Sequence, residues 1–179
     1  MRIALAFCLI TLTGFTMLGQ EGKQFPKLSG ETLDSKEVTI PESVTGKVTL
    51  VGLAYSKKAE QTLSTWYTPM YDKFVLKRGI FDHLYDVNMF FVPMYTGAKK
   101  MAYGTSMKKL MESNRKDLFP YILFYKGELD VYAEALNMDN KNLPYFFVLD
   151  EEGKIVYATK GLYNEQKMEK IEEILDARL

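Results

Sequence analysis

The stretch VTLVGLAYSKKAEQTL, residues 48–63, decides the fold. Its first half is an apolar run rich in β-branched residues that ends near Tyr55. A continuous apolar run of this kind is typical of a strand buried on both faces, as in a central position among parallel strands. From Lys57 the apolar residues change to helical spacing, so the sequence predicts a strand that turns directly into a helix.

The predicted helix continues well beyond Leu63. Its apolar residues recur every three or four positions, which places them on one helical face. These residues are Ala59, Leu63, Trp66, Met70 and Phe74. Pro69 lies inside the run and lacks a backbone N–H, so we expect a kink near residues 65–68.

Strands and helices alternate through the remaining chain. Residues 21–31 are polar and broken by glycine and proline, which predicts an irregular arm. Strands are predicted within 37–41, 86–95 with an interruption at Pro93, 121–125, 145–149 and 155–158. Helices are predicted at 105–116, capped by Thr105 with Met107, Leu110 and Met111 inward, at 129–136, and after Asn164 with Met168, Ile171 and Leu175 inward. This order predicts an α/β fold: a mixed central sheet with helices on both faces.

The first twenty residues have the composition of a secretory signal peptide. Arg2 precedes an uncharged apolar run, residues 3–18, and the small and polar residues Gly19 and Gln20 follow. The run is shorter than the roughly 20 residues that span a bilayer. We therefore predict a signal peptide at 1–20, one domain at 21–179, and a periplasmic or secreted protein. An uncleaved membrane anchor stays open as an alternative.

Composition limits the chemistry of the domain. Cys8 is the single cysteine and falls within the predicted signal peptide, so the predicted mature domain has no thiol. The net charge is zero, which gives no strong field for nucleic acid, while a peripheral membrane contact is left open. The single histidine, His83, provides neither a metal site nor a catalytic triad. We expect no cofactor, no metal and no enzymatic activity.

Two motifs carry a resemblance to a known superfamily. The first motif precedes the predicted helix that starts near Lys57, and it consists of Pro26, Leu28, Val38, Ile40, Gly46, Lys47, Leu50 and Val51. The second motif is the predicted C-terminal hairpin, with Pro144, Asp150, Gly153, Lys154 and Ile155. With these motifs the chain resembles the thioredoxin-like superfamily, especially its exported, membrane-tethered and peroxiredoxin-like branches, over most of residues 25–175. The resemblance implies a three-layer α/β sandwich and a cis peptide bond before Pro144.

The resemblance fails where redox chemistry would occur. The Cys-x-x-Cys positions of the superfamily fall near Lys58 and Gln61. Disulfide exchange requires a thiolate that attacks sulfur, and neither lysine nor glutamine supplies one. We predict a redox-inactive domain, and the alternative is an oxidoreductase or peroxiredoxin-like enzyme whose cysteine comes from a partner.

A narrower resemblance involves residues 46–74. The Thr-Leu-Val strand, the absence of cysteine, and Trp66 followed shortly by Pro69 are similar to ATP10-type assembly factors for the ATP synthase membrane sector. This resemblance implies an assembly role. The signal-like N-terminus does not fit a mitochondrial protein.

The predicted function is binding of an extended protein segment. In thioredoxin-like proteins the backbone before the hairpin proline pairs with a peptide, a form of strand addition that needs no cysteine. The candidate partner-binding residues are Tyr55, Lys57, Lys58, Gln61, Leu143 and Pro144. Two alternatives stay open: Lys57 and Lys58 are a solvated pair, and Pro144 only shapes the fold. Trp66 is predicted to lie in the core.

Overall fold

The strand that begins at Thr49 lies near the middle of a seven-stranded sheet in a computed structural model that describes residues 19–113 and 115–179. The strands are β1 (Leu28–Thr32), β2 (Glu37–Ile40), β3 (Thr49–Ala54), β4 (Asn88–Thr96), β5 (Leu123–Gly127), β6 (Tyr145–Leu149) and β7 (Ile155–Lys160). Their order across the sheet is β2-β1-β5-β4-β3-β6-β7. The helices are α1 (Lys57–Leu63), α2 (Tyr67–Phe74), α3 (Tyr103–Met111), α4 (Asp130–Ala135) and α5 (Glu165–Asp176).

The sheet is mixed, as predicted. β4 runs parallel to both β3 and β5, while β6 and β7 add the antiparallel hairpin next to β3. All six residues of β3 are buried, because β4 and β6 flank this strand and both of its faces are covered. The prediction of a central strand that turns into a helix is confirmed.

Alternating side chains of the strands form two separate cores. In β4, Phe90 and Val92 pack on one face of the sheet with Tyr132 and Leu136 of the α4 region. Met89 and Phe91 pack on the other face, beneath α1, α2 and α5, where Met168, Ile171 and Leu175 are buried. Side chains of α3 cover a neighbouring cluster around Tyr95 and Phe124. Helices therefore lie on both faces of the sheet, and the predicted three-layer α/β sandwich is confirmed.

The long predicted helix is divided into two helices shortly before Pro69. A 3-10 turn, Ser64–Trp66, separates α1 from α2. Pro69 is then the third residue of α2, a position whose N–H has no intrahelical acceptor, so the missing donor costs little there. The predicted kink is confirmed as a change of helix type.

Two predictions for the strands were wrong. Residues 28–32 are not an irregular arm but form β1, which pairs with both β2 and β5. Gly30 marks close backbone approach rather than a break in the strand. Pro93 does not interrupt β4, because it lies where pairing with β3 ends at Ala54 and pairing with β5 resumes at Met94.

The prediction for α3 was also wrong in its boundaries. The helix begins at Tyr103, not at Thr105, and no side chain caps it. A 3-10 turn, Gly97–Ala102, leads directly into the helix, and the Tyr103 N–H donates to the Lys100 carbonyl, so no cap is needed. The helix ends at Met111, which is 45% exposed rather than inward.

The Gly30→Ala variant is expected to lose about 1–3 kcal/mol of unfolding free energy, because overpacking against a fixed backbone is costly. A Cβ atom at Gly30 would lie 2.5 Å from the carbonyl oxygen of Phe124. The matched control is Gly104→Ala in α3, where a Cβ atom has no neighbour within 4 Å. Urea denaturation monitored by circular dichroism measures both, and equal stability of the two variants would contradict the close pairing of β1 with β5.

The predicted signal peptide lies outside the described residues except for Gly19 and Gln20, and it stays a prediction. From Gly22 the chain runs beside β7, because the Gly22 N–H donates to the Ile155 carbonyl at 2.8 Å. Within residues 19–113 and 115–179, no helix is long and apolar enough to cross a membrane.

Candidate functional site

The turn from β3 into α1 is organised by Ser56. This residue has the extended backbone of a helix N-cap, and its Oγ accepts a hydrogen bond from the Ala59 N–H at 3.1 Å. Serine is among the preferred residues at this position because its oxygen satisfies an orphan donor of the first turn. The same hydroxyl donates to the Lys141 carbonyl, so the helix start is joined to a loop far away in sequence.

That loop, residues 138–143, is fixed to the end of the sheet by two tyrosines. Tyr55 Oη donates to the Met138 carbonyl at 2.9 Å. Tyr145 Oη donates to Asp139 Oδ1 at 2.7 Å and accepts from the Asn140 N–H at 2.7 Å. The strand-to-helix turn and the loop before Pro144 therefore form one junction, which we call the strand-end junction (residues 55–61 and 138–144).

Three ionisable groups that join the two halves of the junction, Tyr55, Asp139 and Tyr145, have pKa values shifted further from neutrality. Burial, followed by the hydrogen bond to Asp139, raises the pKa of Tyr145. Burial, followed by the charge of Asp139, also raises the pKa of Tyr55. The hydrogen bonds from Tyr145 and then Lys160 lower the pKa of Asp139. At neutral pH the tyrosines are protonated donors and Asp139 is a charged acceptor, which suits a structural network.

Pro144 is locked from the other side by the turn after β7. Its carbonyl oxygen accepts from the Gly161 N–H at 2.9 Å, and the Gly161 carbonyl accepts from Trp66 Nε1 at 3.0 Å. Trp66 is fully buried and stacks on Phe146 with ring centroids 4.5 Å apart. The prediction of a core position for Trp66 is confirmed.

The prediction of a cis peptide bond before Pro144 was wrong. Among the described residues the cis bond is Ile40–Pro41, and the Leu143–Pro144 bond is trans. The trans isomer is the intrinsically preferred one for a bond to proline. The loop closes without a cis bond because the Leu143 N–H donates to the Asn140 carbonyl at 3.2 Å.

The structure places the six candidate residues at one end of the sheet. Tyr55 and Leu143 are half-buried, and Pro144 is buried. Lys57, Lys58 and Gln61 are exposed on α1. The Leu143 N–H is already used, but no hydrogen bond to the Leu143 carbonyl is present among the residues described. An extended segment could therefore donate to that carbonyl without breaking an existing bond.

The rim of the strand-end junction carries unpaired positive charge. Lys57, Lys58 and Lys141 are exposed, and none of them forms an ion pair within the described part of the chain. The two nearby acids are already neutralised, Glu60 by Lys99 and Asp139 by Lys160. Sequence reasoning missed Lys141, because only the contact between Ser56 and Lys141 brings it beside the helix start.

Sequence reasoning also missed Ser56 and Ala59. Lys58 and Gln61 are the second and fifth residues of α1, whereas the N-cap is Ser56. An activated thiol in a protein is commonly found at a helix N-terminus, where its pKa is lowered. By that criterion residues 56 and 59 occupy the place of a dithiol more closely than residues 58 and 61. The signal that could have shown this was serine directly before the helical spacing.

Within residues 19–113 and 115–179, no group of three or more His, Cys, Asp and Glu side chains is placed to hold a metal ion. His83 is exposed, and its Nδ1 lies 2.9 Å from the carbonyl oxygen of Ile80.

The chain matches the model of the family described as ATP10 protein over residues 19–176. This range includes nearly all described residues and both halves of the strand-end junction. No curated protein matches the chain.

Three solved structures illustrate the similarity of the fold. A putative protein disulfide isomerase from Bacteroides thetaiotaomicron is 20% identical, with a TM-score of 0.54 over 87% of this chain and 90% of that one. A putative thiol:disulfide interchange protein DsbE from Chlorobium tepidum is 18% identical, with a TM-score of 0.55 over 88% and 96%. Yeast Sco1 is 16% identical, with a TM-score of 0.56 over 87% and 96%. These similarities establish that the fold is thioredoxin-like, as predicted.

Proposed function

This chain belongs to the ATP10 protein family, and on that premise we propose that it is an assembly factor that binds an extended segment of another protein. The binding site is the strand-end junction. The domain has no redox activity of its own and is not an enzyme. The observation that carries the proposal is the combination of a thioredoxin-like fold with a sequence whose single cysteine, Cys8, lies before the described domain.

Binding at the junction requires groups that can form hydrogen bonds or contacts with a second chain. The Leu143 carbonyl is an acceptor for strand addition, and main-chain hydrogen bonds of this kind provide affinity without a specific sequence. Tyr55 and the start of α1 are joined to the same loop by the hydrogen bonds from Tyr55 to Met138 and from Ser56 to Lys141. We propose that a segment laid beside Leu143 also contacts Tyr55 and α1.

The unpaired lysines favour a particular chemistry in the partner. Lys57, Lys58 and Lys141 supply positive charge on the rim, and the two acids of the described junction, Glu60 and Asp139, already pair with other lysines. Complementary charge mainly raises the rate of association and suppresses wrong partners. We propose that the bound segment is acidic at this rim. The family resemblance makes a subunit of the ATP synthase membrane sector the first partner to test.

We also propose that the protein acts outside the cytoplasmic membrane, because residues 1–20 have the composition of a signal peptide. Mass spectrometry of the protein recovered from the cell envelope tests this proposal. A chain that begins near residue 21 supports it, and full-length protein in the cytosol contradicts it.

The binding proposal is tested by crosslinking capture from native envelopes with the triple variant Lys57→Glu, Lys58→Glu, Lys141→Glu. Each reversed charge is expected to cost about 0.5–1 kcal/mol, so partner affinity should fall about thirtyfold. The matched control is Lys108→Glu, Lys109→Glu, Lys116→Glu, which makes the same change in net charge at exposed lysines that are not part of the junction.

The two triple variants separate a local effect from a general one. The proposal expects the control to keep wild-type affinity for the captured partner. Equal losses in both variants would show that only net charge matters, and the absence of any saturable partner would contradict the proposed function.

A further inference from the structure

The segment between α2 and β4 exposes a cluster of large apolar side chains. We call Leu76–Leu84 the 76–84 loop. Ile80 is 85% exposed and Phe81 69%, and Leu76 and Leu84 are each 45% exposed. These are four of the nine large exposed apolar residues found among the described residues, and they lie within one short loop. A concentration of this kind on an otherwise polar surface marks an interaction site.

The loop is held in place by buried polar contacts. Asp82 is 5% exposed, accepts from the Gly79 N–H at 2.7 Å, and lies 3.1 Å from Lys73 Nζ. Lys73 also pairs with Glu172 of α5 at 2.9 Å. Tyr85, just after the loop, donates to Asp176 at 2.8 Å. Ile80 and Phe81 are therefore presented by an anchored turn, and their exposure is not caused by a frayed end.

The acidic side chain of the loop is buried, whereas its basic side chains are exposed. Its single acid, Asp82, points inward and is neutralised by Lys73. The outward residues besides the apolar ones are Lys77, Arg78 and His83, all exposed. The flanking acids Asp72 and Asp86 are paired with Arg78 and Lys47, at 3.4 Å and 2.7 Å. Arg78 is thus balanced by Asp72, and Lys77 is the exposed cation of the loop that forms no ion pair among the described residues. The outer surface combines bulky apolar groups with this unpaired lysine.

This combination matches the interface of a lipid bilayer. Apolar side chains enter the boundary between headgroups and acyl chains, and adjacent basic residues are attracted to anionic lipids. A purely polar acidic surface would leave Ile80 and Phe81 in water, whereas the interface of an anionic bilayer takes up both the apolar groups and Lys77. The pairing of charge and apolar area therefore favours an anionic lipid surface.

The location of the loop gives such a contact a defined geometry. The loop leads into β4, whose first residue, Asn88, pairs with Thr49 at the start of β3. The strand-end junction follows Ala54, at the opposite end of β3. A domain docked through the loop would hold the junction on the side of the sheet that faces away from the lipid.

We propose that the 76–84 loop docks on an anionic membrane surface, with Ile80 and Phe81 in the interface and Lys77 at the headgroups. The proposal does not depend on the assembly role, since it concerns a different end of the molecule.

The test uses the full chain carrying Phe81→Trp and vesicles of phosphatidylcholine with or without phosphatidylglycerol. Trp66 is fully buried, so its emission provides a constant background. Addition of anionic vesicles should shift the new tryptophan emission to the blue, and brominated acyl chains should quench it. The matched control is Val131→Trp, at a residue 63% exposed on α4, and its emission should not respond.

Two further variants test whether vesicle binding occurs through the 76–84 loop or through another segment of the chain. Ile80→Ser with Phe81→Ser should weaken vesicle binding at least about tenfold, and Lys77→Gln should weaken it about fivefold on anionic vesicles only. If the chain sediments with vesicles but the tryptophan at position 81 stays in water, another segment such as residues 3–18 makes the contact and the proposal is overturned. The same conclusion follows if the serine variant binds like wild type.

Discussion

Trp66→Ala is expected to reduce the unfolding free energy by about 3–5 kcal/mol, the usual cost of deleting a buried large aromatic side chain. Trp66 stacks on Phe146 at 4.5 Å and meets the Tyr163 ring edge-on at 5.5 Å. Its Nε1 also donates to the Gly161 carbonyl, and Gly161 holds Pro144. The variant should therefore lose both core packing and the support of the strand-end junction, which urea denaturation and partner capture measure separately.

The control for this prediction is Trp66→Phe, which keeps an aromatic ring against Phe146 but removes the hydrogen bond to Gly161. Losing one such bond is expected to cost about 0.5–1.5 kcal/mol, in addition to a smaller packing loss. If Trp66→Ala destabilises no more than Trp66→Phe, the side chain is not the core element that links α1 and α2 to the β7 turn.

The double variant Ser56→Cys, Ala59→Cys, made in a Cys8→Ser chain, is expected to gain insulin-disulfide reduction that the unmodified chain lacks. A thiol at position 56 would replace the N-cap hydroxyl that accepts from the residue 59 N–H. Contact with a helix N-terminus lowers a thiol pKa below the free value of about 8.5, and the thiolate is the attacking species. Loss of the serine cap is expected to cost about 1 kcal/mol, which leaves a folded protein.

The matched control is Lys58→Cys, Gln61→Cys in the same Cys8→Ser chain. These positions are exposed along α1 rather than at its N-cap, so their thiols should have pKa values closer to the free value and lower activity. Higher activity in this pair than in the 56 and 59 pair would show that Lys58 and Gln61 occupy the dithiol positions of the superfamily. Activity in the unmodified chain would contradict the proposed absence of redox function.

The elements with strong local signals were predictable from the sequence. β3 is an uninterrupted apolar run, and β6 and β7 are two apolar runs on either side of a turn that contains glycine. α5 begins after the N-cap residue Asn164, whose side chain accepts a hydrogen bond from the Lys167 N–H. In each case the short-range pattern and the tertiary environment require the same structure. Pairing with distant strands explains the wrong predictions for β1 and for Pro93 in β4. Local turns explain those for the boundaries of α3 and for the peptide bond before Pro144.

The candidate site was predictable only in part, for a similar reason. The turn after β3 and the hairpin proline follow from local sequence patterns, and the structure places them at one end of the sheet. The joining contacts do not, because Ser56 meets Lys141 and Tyr55 meets Met138 across more than eighty positions of chain. Lys141 could therefore not be assigned to the positive rim before the loop was placed.

The central claim, that the strand-end junction binds another protein, is tested most directly by site-specific photocrosslinking in native envelopes. A photoreactive aromatic residue is placed at Gln61, exposed beside the junction, or at Val131, exposed on the helix that covers the other face of the sheet. The account predicts one defined crosslinked partner from position 61 that is absent from position 131. No adduct at position 61, or the same adducts from both positions, would contradict it.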